Sequence, residues 1–382
     1  MKIVIVGSSH AGITLYDKRN QVSFVSQGII SYLAGQKSVL NQSSYSSVEE
    51  LKAAGLNMQM ETVVEEIDTK NKRLFYRRVN SKKTKLALYD KLIFATGSYP
   101  AMTSVPFDKK SKLYFLKSMD DAIKTDEFLK TAKNIAVIGG GMTGVEVARI
   151  AQERGIQTTL IHRNKNLLND YLDEPASHLL ESWMNAEGMR LLLNTEVTEI
   201  GFDEENTIIQ TANGQKIPVD GVIFTIGFRP NSYLLNQQVE LGDSGAVIVD
   251  EYMQTTCPDV FAVGDVSTTY VNLLEKSYYL PHASDAVRDG EIAAINLLAP
   301  HQKINSSQGT YHVPMNNLVM AMTGITIRQA VDAGYDADAV HLLNEHLDGH
   351  LPSNIWMIYE RRTHQILGLQ CIGKTSDMAE YV

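Results

Sequence analysis

Ile135-Ala136-Val137-Ile138-Gly139-Gly140-Gly141-Met142-Thr143-Gly144 decides the fold: four apolar residues run into glycines at 139, 141 and 144, and a helical pattern follows. A buried strand, a tight turn and a helix in that order open a parallel βαβ unit. The turn lets backbone approach a dinucleotide pyrophosphate, and the following helix offers unpaired N–H groups and a positive dipole end. The same design stands at the start of the chain, where Ile3-Val4-Ile5-Val6 leads into Gly7-Ser8-Ser9-His10-Ala11-Gly12. Two bound dinucleotides make hydride exchange between them the economical reading.

Working outward, each glycine turn is followed by a second apolar strand that ends in small residues: Lys91-Leu92-Ile93-Phe94-Ala95-Thr96-Gly97 after the first, and Gly221-Val222-Ile223-Phe224-Thr225-Ile226-Gly227 after the second. Asp259-Val260-Phe261-Ala262-Val263-Gly264-Asp265 then delivers a carboxylate to a strand's C-terminal end, where ligands of doubly wound sheets bind. A helix N-cap is the alternative use of Asp265. Residues 301–382 alternate strands with one helix and contain no phosphate loop.

With 382 residues, the chain is long enough for two or three domains with their own cores. A net charge of -9 argues against nucleic acid or an anionic membrane surface. No apolar run reaches the length of a membrane span and no signal-peptide pattern opens the chain, so the expectation is a cytoplasmic protein. Cys257 and Cys371 lie far apart, and the histidines show no metal spacing, so neither a disulfide scaffold nor a metal site is expected.

In this order the pieces resemble the FAD- and NAD(P)-dependent pyridine nucleotide-disulfide oxidoreductases, specifically the group of NADH oxidases, NADH peroxidases and coenzyme A disulfide reductases. The likeness includes Ser23-Phe24-Val25-Ser26-Gln27-Gly28-Ile29, Tyr45 to Leu51, Tyr171-Leu172-Asp173 and Ile366-Leu367-Gly368. It implies an α/β protein with two Rossmann-like domains and a C-terminal α+β dimerisation domain. The boundaries expected are a discontinuous FAD domain over 1–102 and 228–300, an NAD(P)H domain over 103–227, and a C-terminal domain over 301–382. It also implies a homodimer whose ligands are NAD(P)H and a small electron acceptor.

The resemblance assigns Gly7, Gly12, Asp17, Gly264 and Asp265 to FAD, Asp17 at the adenosine ribose and Asp265 at the ribityl chain. Gly139, Gly141, Gly144 and Glu146 are assigned to the nicotinamide nucleotide. Ser9, His10, Ser26, Thr96, Gly97, Met142, His162, Arg163, Gly227 and Ala283 complete the cofactor-binding set. Glu146 is expected in the first helical turn, facing the nicotinamide or simply stabilising the helix start. Met142 stands where an aromatic residue commonly covers the flavin, or serves as core. His162-Arg163 end the next strand without an acid. Arg163 offers a fork to a 2′-phosphate, which points to NADPH or to both cofactors, with a solvated arginine as the alternative.

Three departures qualify the likeness. Gln27 occupies the position of the family's redox cysteine and has no redox chemistry, and Cys257 and Cys371 read as buried small residues rather than replacements. His10 could still protonate a peroxide leaving group, or be a loop histidine bonded to backbone. Between Gly12 and the strand beginning at Ile13 there is no room for the crossover helix that parallel neighbours need. Ser376 to Glu380 reads as a capped helix start, but the sequence stops at Val382, so either the chain is a truncated or deleted form or further segments exist in the real protein. The function expected is an FAD-dependent NAD(P)H oxidase that forms hydrogen peroxide. A family-type peroxidase or disulfide reductase, and a non-catalytic nucleotide sensor, are the rivals.

Overall fold

The computed structural model describes residues 3–7, 14–22, 24–25, 28–36, 44–101, 104–315, 318–344 and 353–373. Two five-stranded parallel sheets share one plan. The first runs Val260–Ala262, Lys91–Ala95, Ile3–Gly7, Thr14–Tyr16, Asn57–Gln59. The second runs Leu113–Tyr114, Gly221–Phe224, Asn134–Ile138, Gln157–Ile161, Arg190–Leu192. In each, the strand that enters the glycine turn is central, and the strand after the turn lies on one side of it. A three-stranded antiparallel sheet accompanies each: Thr62–Asp68 with Arg73–Arg78 and Lys85–Leu88, and Val197–Asp203 with Asn206–Thr211 and Lys216–Val219.

The continuous apolar runs are explained by burial on both faces. In the first sheet Val4, Leu92, Phe94 and Val260 enter one core, while Ile5, Leu15, Ile93 and Phe261 enter another. In the second, Ile135, Val137, Leu160 and Ile223 face one way, and Ala136, Ile138, Ile161, Val222 and Phe224 the other. Ser98–Pro100 and Phe228–Pro230 pair antiparallel and carry the chain out of the first unit and back.

The C-terminal part is a five-stranded antiparallel sheet in the order Tyr311–Met315, Leu318–Gly324, Ile366–Gly373, Ser353–Glu360, Ala337–Asn344, with one short helix, Ile327–Asp332. Met320, Met322, Trp356 and Ile372 on one face join the core that also holds Val145 and Leu180 of the second unit. No helix among the described residues is long and apolar enough to cross a membrane.

Two sequence expectations need adjustment. Cys371 is buried in the C-terminal sheet, where burial pushes its thiol up to about 12, but Cys257 is only half-buried. Its loop, Thr255 to Pro258, packs on the rim of the first core and leaves one side open. The proposed C-terminal helix start at Ser376 lies outside the described residues.

Candidate functional site: an open glycine turn and a carboxylate-bearing strand end

The second glycine turn is intact and its glycines are sterically required. Gly139 has φ +116°, and a Cβ there would lie 2.5 Å from the Thr225 carbonyl oxygen. Gly144 is already inside the helix Met142–Glu153, where a Cβ would come within 1.8 Å of the Gly139 carbonyl oxygen. Thr225 closes the turn from the neighbouring strand, its hydroxyl donating to the Ile138 and Gly139 carbonyls at 3.1 and 3.0 Å. Gly141 differs: a Cβ there meets nothing within 4 Å, and no side chain caps the helix it begins. Open space in front of an uncapped helix start is the geometry a pyrophosphate needs.

Because the helix begins at Met142, Glu146 lies in its second turn and not, as expected, in the first. The final glycine of the motif packs helix on strand, so the helix starts before it. The macrodipole therefore matters less for Glu146 than burial, which pushes its carboxyl up to about 7 against the opposing pull of Arg149. Glu146 accepts no hydrogen bond from a described residue. Met142 is half-buried against the shared core.

At the end of the next strand, His162 faces inward and Arg163 outward. His162 Nδ1 accepts from the Gly140 N–H at 3.0 Å and Nε2 lies 3.0 Å from Asn169 Oδ1, which fixes the proton on Nε2. Burial lowers its pKa, so the ring is a neutral buttress of the turn. Arg163 is exposed at the mouth of a cavity of about 420 Å³ shared with Asn164, Asn194, Thr195, Glu196 and Asn213.

Asp265 lies in the turn Gly264–Val266 that follows the strand Val260–Ala262 of the first sheet. Its Oδ2 accepts from Ser98 Oγ at 2.8 Å and from Lys117 Nζ at 2.7 Å. Lys117 also stands 4.5 Å over the ring of Phe228. The Tyr279 hydroxyl is buried beside Asp265 and Ser98 but reaches no hydrogen-bonding geometry with either, and burial raises its pKa. Ala283 opens the helix Ala283–Asn296, whose N-cap His282 makes no capping bond. Asp289 of that helix accepts from the Gly264 N–H at 3.1 Å, and burial pushes its carboxyl up to about 7. Thr96 Oγ1 donates to the Asn231 carbonyl at 2.7 Å, and the Asn231 N–H donates to the Gly97 carbonyl at 2.9 Å. The Ala101 N–H donates to the Gly227 carbonyl at 2.9 Å. Thr96, Gly97 and Gly227 thus sit where the chain passes between the two units.

At the first turn, Gly7 ends its strand opposite Ala95. Val4 pairs with Thr14 in parallel, so six residues, 8–13, link neighbouring parallel strands. Ser9, His10, Gly12, Ser26 and Gln27 lie outside the described residues. The helix Gly28–Leu33 after Gln27 buries Ile29 and Leu33 in the core that holds Val145. Asp17, at the end of Thr14–Tyr16, is 5% exposed, and Arg19 occupies both its oxygens, with Nε 3.2 Å from Oδ1 and Nη2 3.0 Å from Oδ2.

Sequence reading missed Lys117, Ser98 and Tyr279. Ser98 follows a recognised strand end and was within reach of the pattern, but Lys117 sits in an unpatterned stretch and meets Asp265 only through the fold.

Two parallel sheets of one plan, one with an open glycine turn and one ending in a hydrogen-bonded aspartate, define a two-nucleotide oxidoreductase. The family model described as pyridine nucleotide-disulphide oxidoreductase matches residues 1–290. An NADH oxidase of Enterococcus faecalis is 32% identical over 394 aligned positions, covering 98% of this chain and 88% of the relative. A water-forming NADH oxidase from Lactobacillus brevis, solved bound to NADH, superposes with TM-score 0.94 at 30% identity over 98% of this chain and 87% of its own. Its engineered form, solved bound to NADPH, gives the same TM-score and identity over 98% of this chain and 88% of its own; it replaces one aspartate and gains two arginines. The chain belongs to the pyridine nucleotide-disulphide oxidoreductase family, whose cofactors are FAD and a nicotinamide nucleotide.

The described residues fit FAD unevenly. Around Asp265 the structure offers an oriented carboxylate, an unpartnered buried hydroxyl and an uncapped helix start. Asp17 is already forked by Arg19.

Proposed function

We propose that this NAD(P)H-dependent oxidoreductase oxidises the nicotinamide nucleotide by hydride transfer to flavin and delivers the electrons to dioxygen as hydrogen peroxide. Flavin supplies the hydride acceptor and the oxygen chemistry. The chain's own contribution begins at Gly141, where the open helix start receives the pyrophosphate. The half-buried Glu146 carboxyl, titrating near neutral pH, faces the nicotinamide side of the helix. Asp265, steadied by Ser98 and Lys117, receives ribityl hydroxyls. Met142 packs over the ring, and Ala283 presents its helix start to it.

The observation that carries the peroxide reading is Gln27, since a chain without a thiol there has no sulfur on which to divide peroxide or a disulfide. His10 remains a proton donor candidate. Arg163 beside its 420 Å³ cavity supports NADPH, in line with the arginines gained by the NADPH-bound relative. Val340 and Leu342 expose apolar side chains on one face of the strand Ala337–Asn344, and a second copy covering them forms the homodimer. The units 1–102 with 228–300, 103–227 and 301–382 are the domains of this reading.

An oxygen electrode tests it. NADPH-driven oxygen uptake should return half its oxygen when catalase is added, and no return means water is the product. Peroxidase or coenzyme A disulfide reductase activity would favour the family-type reading. NADPH binding without turnover at any flavin concentration would favour a sensor.

A further inference from the structure

We propose that the cavity of about 430 Å³ between the hairpin of Thr269–Val271 with Lys276–Tyr278 and the C-terminal sheet binds a small quinone, which takes the electrons of NAD(P)H as an alternative to dioxygen. The proposal rests on the NAD(P)H-to-flavin reading above and adds a second acceptor to it.

The cavity is built from three stretches that lie far apart in the sequence. Tyr171 comes from the loop before the helix Glu174–Ala186, Leu274, Tyr278 and Leu280 from the hairpin and its flank, and Tyr311 and Met322 from the first two strands of the C-terminal sheet. These stretches are fastened to one another. Arg328 Nη2 donates to Asp170 Oδ1 at 2.9 Å, Gln370 Nε2 donates to Asp173 Oδ2 at 2.8 Å, and Leu274 packs against the cluster of Ile325 and Ala330. The volume therefore belongs to the fold, and it lies within the about 300–1,000 Å³ typical of small-molecule sites.

Its walls select a flat ligand that accepts hydrogen bonds. Tyr171 and Tyr311 meet edge to face with ring centroids 5.0 Å apart, and Tyr278 adds a third ring, 5.7 Å from the Lys276 ammonium. Aromatic faces with aliphatic neighbours favour stacking of a planar ring. The polar groups left without a hydrogen-bond partner among the described residues are mainly donors: the Tyr171 and Tyr311 hydroxyls, the Gln308 amide and Lys276. Burial pushes the Tyr171 phenol up to about 12 and raises that of Tyr311, so both keep their protons. Of the carboxylates, Asp170 is held by Arg328 and Asp332 is exposed. A quinone brings carbonyl oxygens that accept and no group that must donate, which matches this set.

Position supplies the redox link. Lys276, Tyr278 and Leu280 line the cavity, whereas Tyr279 between them lies beside Asp265, so alternate side chains of one stretch face the cavity and the candidate flavin site. Tyr311 also meets the ring of His282, which precedes the helix from Ala283, at 5.2 Å. One layer of chain, about 10 Å where extended layers stack, separates the two sites. Hydride transfer needs reacting atoms about 3–3.5 Å apart, so across this layer electrons pass singly. NAD(P)H gives up two electrons and one proton. The quinone gains both electrons and two protons, the second from solvent, and leaves as hydroquinone.

The test uses the FAD-loaded holoenzyme. Under argon, NADPH oxidation with menadione should saturate and form hydroquinone in equimolar amount to the NADPH consumed. Leu274→Trp fills the cavity from a half-buried position, and Gln308→Ala removes a donor from an exposed one. The first should raise KM for menadione by about tenfold or more and the second by about threefold to tenfold, with NADPH-driven oxygen uptake unchanged. Equilibrium dialysis of menadione against the oxidised holoenzyme reads binding without turnover and should follow the same order; if the tryptophan variant misfolds, Gln308→Ala and the dialysis decide. Menadione KM and binding unchanged in the folded variants overturn the proposal. Oxygen uptake without anaerobic menadione reduction also overturns it and leaves the oxidase reading standing. NADPH turnover with neither acceptor overturns both.

Discussion

Lys117 and Asp265 lie 2.7 Å apart, with side chains 22% and 19% exposed, joining the stretch after Leu113–Tyr114 of the second sheet to the last strand end of the first. Lys117→Met removes the donor but keeps the contact with Phe228. The Asp265 carboxylate then loses its charged partner, and we expect unfolding free energy to fall by about 1–2 kcal/mol with flavin affinity falling alongside. Denaturant melts with and without flavin measure both; an unchanged melt would show the pair to be solvent-screened.

Gly144 and Gly141 separate folding from binding within one turn. Gly144→Ala forces a methyl against the Gly139 carbonyl and should destabilise the chain by about 2–4 kcal/mol. Gly141→Ala adds its methyl to open space, so the melting temperature should hold while NAD(P)H affinity drops about tenfold or more. Nicotinamide fluorescence titration reads the second effect.

Glu146 makes stability depend on pH in a defined direction. Its folded value near 7 lies above the unfolded 4.5, so its favourable contribution is complete below about 4.5 and is lost as pH rises through 7. The range corresponds to at most about 3 kcal/mol. Glu146→Gln should therefore melt higher than the parent at pH 8, with the gap closing at pH 4.5. A gap independent of pH would place the titration elsewhere.

Arg163→Glu replaces the cation beside the 420 Å³ cavity with an anion. KM for NADPH should rise by about tenfold or more, while KM for NADH should fall or stay level. Equal changes for both cofactors would remove Arg163 from discrimination.

Asp173 precedes the helix Glu174–Ala186 but does not cap it; its carboxylate accepts from the Ile327 N–H at 3.1 Å and from Gln370 Nε2 at 2.8 Å. Asp173→Ala leaves the half-buried Ile327 N–H and the buried Gln370 amide without their acceptor, at a cost of about 2–4 kcal/mol. Calorimetry should show the C-terminal sheet separating from the main transition.

The nicotinamide half was legible because its signals are local. Glycines at 139 and 144 are dictated by contacts within one turn and its neighbouring strand, and the apolar runs are dictated by burial on two faces. The helix start at Met142 was less so, because a glycine inside a helix reads as a boundary until the strand beneath it is known. Cys257 looked buried because its type favours cores, while its loop happens to lie at a rim. His162 appeared as a ligand from its position after the strand, yet its ring nitrogens are spent on Gly140 and Asn169. Lys117, Tyr279 and the Arg19 fork on Asp17 depend on long-range geometry or rotamer choice, to which periodicity is blind.

The antiparallel pair of Ser98–Pro100 with Phe228–Pro230 brackets the whole second sheet, whereas the first sheet takes its outer strand from Val260–Ala262. Every strand of the second sheet has left the ribosome by residue 224, but Lys91–Ala95 must wait for a partner more than 160 residues downstream. Synthesis therefore imposes an order: the inserted unit can close while the surrounding one still has an open strand edge. Until residue 262 emerges, that edge is the part of the nascent chain most exposed to mispairing.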